Sequence, residues 1–567
     1  MRAVIGVALN NLAVLAAASY AHSKFDWASI SPSKDLIYHD CFDGFKCARL
    51  IAPLDYKNDS DLRTVAIAMI KLPAVVSDDD RAFAGSVTNL GGPGGAGFGF
   101  ILRAGKGLRD VLDKPGLRHY EIVSFDPRGI ELRGRGPLDC RGGTNVPYIL
   151  AIQKAIDLLC QHVEANGING GQIMAYMGTP NVAHDMVHMV DKIAELRVRD
   201  AIYRKSGGDN VEDYVELKRE INEGDDDIPR LQYIGYSYGT VFGIYFASLF
   251  PGRVGRIALD GVVDVNDYSS RPGWMTNLVD TDEIADRFFS GCHEVGRKIC
   301  ALSRNGDKSD ASIKSHFSSW LSKLDEELIS TIGRSGEIIV IRSQDIREML
   351  GAALYRPRSS FIILATALDG AMGGDTAAIV KILFQRHIPH LNDVCAINDT
   401  GPDSETYLQE GTASVLCADG DSVSDYDIAW WKQTSGLIGF LKDHSQLLQL
   451  YIPPPEILFL VTPAAPILFI SNRLDPVTPL NAARAMASKH PGAGLIITEG
   501  LGHGTMGTSD SVCLHSYVAD YFDSGVVPAG EATCIPDCGP WDIDCKTFGV
   551  EIMPDNSRGY GRGPLAF

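Results

Sequence analysis

The amino-acid sequence predicts an α/β fold in which a mostly parallel sheet is interrupted by a mostly helical segment. Two observations support this prediction. Short apolar runs alternate with helical patterns up to about residue 260, as they do in α/β proteins. Strand signals then fade between residues 265 and 450 and return at residue 467, which indicates a second domain inserted into the first.

The predicted strands are short apolar runs bounded by polar or turn residues, and they are followed by helical patterns of period 3.6. The strands cover residues 64–70, 86–90, 121–125, 231–234, 256–259, 467–470 and 494–498. The helices cover residues 240–250, 282–289, 313–329 and 359–368. The resulting organisation is a leader over 1–21, a core in two parts over 22–264 and 451–546, a helical insertion over 265–450 and a loose tail over 547–567.

The first 21 residues predict a secretory signal peptide. Arg2 supplies a short positive region, residues 3–18 are apolar apart from one Asn-Asn pair, and Ser19 and Ala21 are small residues suited to a cleavage site. An uncleaved amphipathic anchor is the alternative, because the Asn-Asn pair weakens the apolar run. No later stretch reaches ~18 uninterrupted apolar residues. We therefore expect a secreted, extracellular and soluble protein.

The charge balance argues against two classes of partner. Lys and Arg number 52 and Asp and Glu number 71, so the net charge is 52 − 71 = −19. A surface this acidic is repelled by nucleic-acid phosphates and by anionic lipid headgroups. We therefore expect neither nucleic acid nor a membrane as a partner of the mature protein.

Twelve cysteines, mostly close neighbours in sequence, fit an oxidising compartment. Nearest-neighbour pairing is the simplest connectivity, although the sequence leaves other pairings open. A zinc site is disfavoured because the chain has no C-x-x-C pair, and neither a metal nor a cofactor is expected. Sequons at Asn58 and Asn398 permit N-glycosylation.

Ser237 is the candidate nucleophile. It is the central residue of a G-x-S-x-G sequence at 235–239, which follows the predicted strand 231–234 and opens the predicted helix 240–250. A nucleophile elbow requires this strand–turn–helix context, with glycines where strand and helix approach closely. The alternative is a glycine-rich turn with an idle serine.

Asp475 and His503 are the candidate partners of that serine. A serine hydroxyl needs a histidine to take its proton and a carboxylate to hold the histidine. Asp475 lies in the loop after the predicted strand 467–470, and His503 lies between two glycines after the predicted strand 494–498. The order Ser, Asp, His along the chain is typical of hydrolases with a nucleophile elbow.

Gly92 and Tyr238 are the candidate oxyanion-hole residues. Acyl transfer needs backbone N–H groups directed at the developing oxyanion. Tyr238 directly follows the nucleophile and can supply one donor. The second is expected from the glycine-rich loop 91–97, where Pro93 has no N–H and Gly92 is the chosen residue.

Three further patterns have plainer interpretations. The loop 92–97 matches G-x-G-x-x-G, but Asp126 lies 29 residues beyond Gly97, farther than the ~20 of a dinucleotide site. His184 and His188 share a helix face, but no glutamate follows the first histidine as zinc peptidases require. The acidic stretch 195–229 is interpreted as a solvated helix or loop.

Five motifs taken together resemble a known family. They are GGPGGAG at 91–97, DPRG at 126–129, GYSYGT at 235–240, DPVTP at 475–479 and GHG at 502–504. In this combination the chain resembles the α/β-hydrolase serine peptidases, especially the secreted tripeptidyl aminopeptidases and the related prolyl aminopeptidases. The resemblance spans about residues 38–546 and departs from the family pattern at residues 130–133 and in the acidic stretch. It implies a helical cap over 265–450 and the triad Ser237, Asp475 and His503.

The first hypothesis is a secreted serine exopeptidase that releases short peptides or single residues from free N-termini. An esterase on the same scaffold is the alternative enzyme, since a triad and oxyanion hole cleave esters as readily as amides. A catalytically inactive binding protein is the alternative from another class. An exopeptidase needs a carboxylate to hold the substrate ammonium, and the candidates, which otherwise form a solvated helix face, are Asp280, Asp282, Glu283 and Asp286.

Overall fold

The structure is a computed structural model that describes residues 25–90, 92–130, 176–206, 228–270, 276–333, 338–387, 418–420 and 462–543, together with residues 173, 415 and 545. The predicted signal peptide, the acidic run at 224–227 and the tail 547–567 lie outside the described residues. Four of the twelve cysteines lie outside them as well, at positions 140, 160, 395 and 417, as does the sequon at Asn398.

A ten-stranded sheet forms the centre of the molecule, in the order β1-β2-β3-β5-β4-β6-β7-β10-β11-β12. The first three strands pair antiparallel and β3 pairs antiparallel with β5, whereas every pair from β5 to β12 is parallel. The strands are β1 His39–Asp40, β2 Lys46–Pro53, β3 Thr64–Leu72, β4 Phe83–Leu90, β5 His119–Phe125, β6 Leu231–Tyr236, β7 Val254–Asp260, β10 Ile467–Leu474, β11 Gly494–Leu501 and β12 Glu531–Cys534. All seven predicted strands are present in this sheet.

Helices cover both faces of the sheet, because neighbouring residues of its central strands point to opposite sides. Ile467 and Phe469 of β10 pack with one cluster, and Leu468 and Ile470 pack with the other. The first cluster is covered by α2 Thr179–Ser206, α3 Gly239–Leu249 and α10 Leu480–Lys489. The second is covered by α1 Gly97–Leu112 and α11 Val512–Ser524. This is the α/β-hydrolase fold predicted from the sequence.

The segment between β7 and β10 forms a third hydrophobic cluster of its own. After the short helix α4 Val265–Ser269, the helices that form this cluster in the described part of the segment are α5 Thr281–Val295, α6 Asp310–Glu326, α7 Ser343–Tyr355, α8 Pro357–Met372 and α9 Ala377–His387. Trp541, from far along the chain, packs into this cluster against Phe288 and Phe361. The domain bounds at 265 and 450 stay a prediction.

A two-stranded hairpin in this segment corrects one sequence-based expectation. β8 Ile329–Ile332 pairs antiparallel with β9 Ile338–Ile341, whereas the sequence predicted a helix reaching residue 329. That helix, α6, ends at Glu326. Buried and exposed residues alternate along β9, as they do in a half-buried strand, but four residues are too few to give a clear period-2 signal.

Four disulfides join nearest-neighbour cysteines, which confirms the simplest pairing for the cysteines that the structure describes. They are Cys41–Cys47, Cys292–Cys300, Cys513–Cys534 and Cys538–Cys545. Across the described ranges, no helix combines the length and the apolar character needed to cross a bilayer.

Candidate active site

Ser237 lies on a sharp turn between β6 and α3. Its φ of 55° is left-handed, and it is the one non-glycine residue with positive φ in the described part of the chain. Strand and helix approach closely here: a Cβ on Gly235 would lie 2.5 Å from the carbonyl oxygen of Gly239. A side chain at 235 would therefore force the turn open. The local geometry is that of a nucleophile elbow.

Asp475 and His503 are brought together by the ends of β10 and β11. The Nδ1 atom of His503 lies 3.1 Å from Oδ1 and 3.2 Å from Oδ2 of the Asp475 carboxylate. Backbone N–H groups of Val477 and Thr478 donate to Oδ1 of the same carboxylate, and that of Gly504 donates to Oδ2. The carboxylate is thus fixed on both sides of the histidine ring.

These contacts keep Asp475 ionised although it is fully buried. Burial raises the pKa of the Asp475 carboxyl. The charge of His503, its hydrogen bond to the carboxylate and the N–H groups of Val477 and Gly504 lower that pKa by a larger amount. The net result is a pKa below the ordinary value. Thr478 adds a contact, since its Oγ1 lies 3.1 Å from His503 Nδ1.

The reactive atoms of the serine and the histidine are both buried. Within the described residues, neither Ser237 Oγ nor His503 Nε2 has a hydrogen-bond partner. Asp260, at the end of β7, connects the two loops: its carbonyl oxygen accepts the N–H of Ser237 at 3.0 Å. Its carboxylate accepts the N–H groups of Thr505 and Met506, just after the histidine.

The two candidate oxyanion residues are neighbours. Tyr238 precedes the first residue of α3, and the edge of its ring lies near Gly92 of the glycine-rich loop. A Cβ on Gly92 would stand 3.4 Å from Tyr238 Cδ1 and 3.0 Å from the N atom of Gly95. This crowding and a φ of 139° explain why residue 92 is glycine. Gly91 lies outside the described residues.

Tyr355, the last residue of α7, brings the helical segment against the histidine. Its carbonyl oxygen accepts the N–H of His503 at 2.9 Å, and the two rings meet edge-to-face at 5.1 Å between centroids. The helical segment therefore supports the backbone and the ring of His503 directly.

The four candidate carboxylates for a substrate ammonium occupy different positions. Asp280 precedes α5, is half-buried and accepts the N–H of Asp475 at 3.3 Å. Burial, helped by the charges of Asp475 and Glu283, raises the pKa of Asp280. Glu283 pairs with Arg287, and Asp286 pairs with Lys314, on the exposed surface of the helices. Asp282 lies in the first turn of α5.

The residues of the rejected zinc and dinucleotide patterns, His184, His188 and Asp126, form contacts within the fold. His184 stacks on Tyr56 with ring centroids 5.0 Å apart, and His188 Nε2 lies 3.1 Å from the carbonyl oxygen of Ile51. Asp126 accepts the N–H of Phe98 in the first turn of α1. Residues 195–206 of the acidic stretch continue the helix α2, and residues 228–229, which are also described, precede β6.

Sequence reasoning gave no role to Asp260, Thr478 or Tyr355, although Thr478 belongs to the DPVTP motif and Asp260 follows a predicted strand. Their positions depend on strand register and on contacts between segments far apart in the chain. The pairing of Tyr236 with Asp260 across β6 and β7 is one such contact. The one sequence signal for Asp260 was its position as a polar residue at the carboxyl end of a predicted parallel strand, where functional residues of α/β sheets are found.

One protein family and several known hydrolases are similar to this chain. A family described as TAP-like protein matches residues 453–534, which include Asp475 and His503. The chain is 24% identical over 529 residues to the serine protease Hip1 of Mycobacterium tuberculosis, covering 87% of each chain. It is 22% identical over 552 residues to the tripeptidyl aminopeptidase of Streptomyces lividans, covering 93% of this chain and 90% of that one. A shorter match, 24% over 156 residues, joins 25% of this chain to 28% of the carboxylesterase B of Mycobacterium tuberculosis.

Proposed function

We propose that this chain, which is a serine hydrolase of the TAP-like family with an α/β-hydrolase fold, is a secreted exopeptidase acting on peptides with a free N-terminus. The observation that carries the proposal is the Asp475–His503 pair, held by three backbone N–H groups at the strand ends, together with the left-handed φ of Ser237 on the elbow. This arrangement is suited to activating a hydroxyl for attack on a carbonyl carbon.

The proposed mechanism follows from these positions. His503 Nε2 takes the proton of Ser237 Oγ as Oγ attacks the scissile carbonyl, and Asp475 stabilises the imidazolium that forms. The N–H groups of Gly92 and Tyr238 hold the oxyanion. His503 then gives the proton to the leaving amine, the C–N bond breaks, and an acyl-enzyme remains. A water molecule, deprotonated by His503, hydrolyses the ester and restores Ser237.

The exopeptidase part of the proposal is supported by the similarity to a tripeptidyl aminopeptidase and by the position of Asp280. A half-buried carboxylate beside the Asp475 loop can attract the α-ammonium of a substrate more strongly than the exposed, paired carboxylates of α5 can. The predicted signal peptide and the four disulfides support secretion.

An esterase is the second candidate, and the partial match to a carboxylesterase favours it. The same serine, histidine and oxyanion donors would attack an ester carbonyl, with an alcohol as the leaving group. A plain esterase has no use for a free amine in its substrate. The two candidates therefore differ in how they treat the N-terminus.

The deciding experiment compares a tripeptide anilide with its N-acetylated twin. An ammonium bound by a carboxylate contributes about 1.5–3 kcal/mol, so acetylation is expected to lower kcat/KM about 10- to 100-fold. A simple p-nitrophenyl ester, turned over by the same preparation, serves as the control for active enzyme. Equal kcat/KM for the two peptides would exclude the requirement for a free N-terminus, whereas turnover of the ester alone would support the esterase.

A further inference from the structure

Asp419 is a fully buried carboxylate that the catalytic mechanism does not use. Its Oδ1 accepts the backbone N–H of Thr179 at 2.7 Å. Its Oδ2 accepts the hydroxyls of Thr179, Tyr268 and Tyr238 at 2.5, 2.8 and 3.2 Å. Every donor is neutral, and no cationic side chain of the described residues forms an ion pair with this carboxylate. Burial raises the pKa of Asp419, and the hydrogen bonds from these residues oppose that rise.

The carboxylate joins three segments of the hydrolase core. Thr179 is the first residue of α2, so the carboxylate satisfies an N–H at a helix N-terminus, where negative charge is favoured. Tyr268 belongs to α4, just after β7. Tyr238 directly follows the candidate nucleophile, and its hydroxyl also lies 2.6 Å from Thr179 Oγ1. One carboxylate thus ties the nucleophile turn to two neighbouring helices.

Asp419 reaches this position from the stretch predicted to be the helical insertion. Val415, four residues earlier, packs into the same core cluster as Tyr238 and Tyr268, rather than into the cluster formed by α5–α9. Val415 and Asp419 are both buried. Both side chains therefore lie in the core of the hydrolase sheet, near the nucleophile helix α3.

The ring of Tyr238 is held at two places. Its hydroxyl is fixed by Asp419 and Thr179, and the edge of its ring packs against the backbone of Gly92. Gly92 and Tyr238 are the two proposed oxyanion donors. If the hydroxyl end were released, the ring could rotate away, and the loop that carries Gly92 would lose the surface on which it packs.

We propose that Asp419 is a positioning residue for the oxyanion hole, which acts through the Tyr238 hydroxyl to hold the Gly92 and Tyr238 N–H groups at the distance that the oxyanion requires. This inference rests on the proposed roles of Ser237, Gly92 and Tyr238. Donors in an oxyanion hole act on the transition state more than on the bound substrate. Loss of their alignment therefore lowers kcat and leaves KM nearly unchanged.

The test uses Tyr238→Phe, Asp419→Asn and the double variant in the full-length protein, with p-nitrophenyl acetate as substrate. Each single variant is expected to lower kcat about 10-fold with KM within about 2-fold. Binding of a trifluoromethyl ketone, which forms a tetrahedral adduct with the serine, is expected to weaken by the same factor. Because Asp419 acts through Tyr238, the double variant is expected to be no slower than the slower single variant.

Tyr120→Phe is the matched control. The Tyr120 hydroxyl is buried and donates to the carbonyl oxygen of Phe522 at 3.0 Å, in the cluster on the opposite face of the sheet. This variant loses a buried tyrosine hydrogen bond without touching the elbow, so its kcat and ketone affinity are expected to equal those of the parent protein.

Two results would overturn the inference: a kcat for Tyr238→Phe equal to that of Tyr120→Phe, or losses that multiply in the double variant. If Asp419→Asn does not fold, the comparison of Tyr238→Phe with Tyr120→Phe decides alone. Ser237→Ala distinguishes a failure of the proposed function from a failure of the role given to Asp419. An active Ser237→Ala protein would overturn the proposed function, whereas an inactive one with a normal Tyr238→Phe would overturn only the role of Asp419.

Discussion

The N–H of Ser237 is hydrogen-bonded to the carbonyl oxygen of Asp260, whose side chain in turn holds the loop after His503. One residue at the end of β7 thereby fixes both the turn that carries the serine and the loop that carries the histidine. The pairing of β6 with β7 places Tyr236 opposite Asp260, so the residue after Tyr236 is in reach of that carbonyl. The geometry of the site is therefore set by the register of the sheet.

Ser237→Ala is expected to abolish turnover without unfolding the protein. Loss of a triad serine lowers kcat on the order of 10⁴-fold or more. Hydrolysis of p-nitrophenyl acetate and a thermal melt measure the two effects. Ser248→Ala is the matched control, because Ser248 lies in α3 and its hydroxyl donates to the carbonyl oxygen of Ile244, one turn earlier. Near-normal kcat in a folded Ser237→Ala protein would contradict the assignment.

Asp280→Asn is expected to impair peptides with a free N-terminus selectively. The amide keeps an oxygen to accept the N–H of Asp475, but it removes the negative charge that attracts an ammonium. We expect kcat/KM for a free tripeptide anilide to fall about 10-fold or more, with p-nitrophenyl acetate unaffected.

Asp286→Asn, which removes an exposed carboxylate paired with Lys314, is the matched control for this experiment. It is expected to leave both substrates unchanged. An equal loss on the peptide and on the ester in Asp280→Asn would instead indicate damage to the Asp475 loop, and no loss on either would remove Asp280 as the ammonium site.

Asp260 is expected to make stability fall as pH rises from about 4 to about 7. Burial raises the pKa of Asp260 to about 6, although the donors from Met506 and Thr505 lower it. The folded state therefore binds the proton more tightly than the unfolded state, where an aspartate has a pKa of about 3.9. When the pH exceeds the pKa of Asp260 in the folded protein, the proton is released from both states and its tighter binding no longer stabilises the fold. The free energy of unfolding is then lower by roughly 3 kcal/mol.

Urea unfolding of the parent protein and of Asp260→Asn at pH 4, 5.5 and 7 measures this contribution. The free energy of unfolding of the parent, minus that of the variant, is expected to decrease steadily over the series. A difference that stays constant or increases with pH would show that Asp260 is already ionised at low pH in the folded protein.

Peptide mapping of the non-reduced protein is expected to recover the four disulfides as linked fragments. Each closes a short loop, and the longest separation, 21 residues, is between Cys513 and Cys534. If the protein is secreted as proposed, alkylation of the native protein should label few thiols, because cysteines stay paired in an oxidising compartment. Six or more labelled cysteines would contradict this expectation.

The sequence was most informative where a local pattern determines the structure. Six of the seven predicted strands are parallel strands of the sheet, and they were recognisable because parallel strands appear as nearly continuous apolar runs. The seventh, β3, pairs antiparallel with both of its neighbours. The elbow was recognisable because close contact between strand and helix excludes every residue but glycine at position 235. Asp475 and His503 followed from their positions after strands, and the structure brings them into contact.

The features that escaped prediction depend on contacts between distant parts of the chain. The charged residues of β2, such as Lys46 and Arg49, obscure the apolar run of an outer strand that pairs with β3. The surroundings of Asp419 give no local sign that it meets Thr179, 240 residues earlier in the chain. A buried polar contact of this kind forms only in the assembled fold, so neither hydrophobic periodicity nor a short motif predicts it.

Trp541 gives the chain an order of events during its synthesis. The hydrophobic cluster of α5–α9 is finished by a residue made some 150 positions after the end of α9 at His387, against Phe288 and Phe361. Until Trp541 has been synthesised, that cluster lacks an aromatic side chain that contacts two of its buried phenylalanines. Completion of this region therefore depends on a residue that is synthesised long after the helices that surround it.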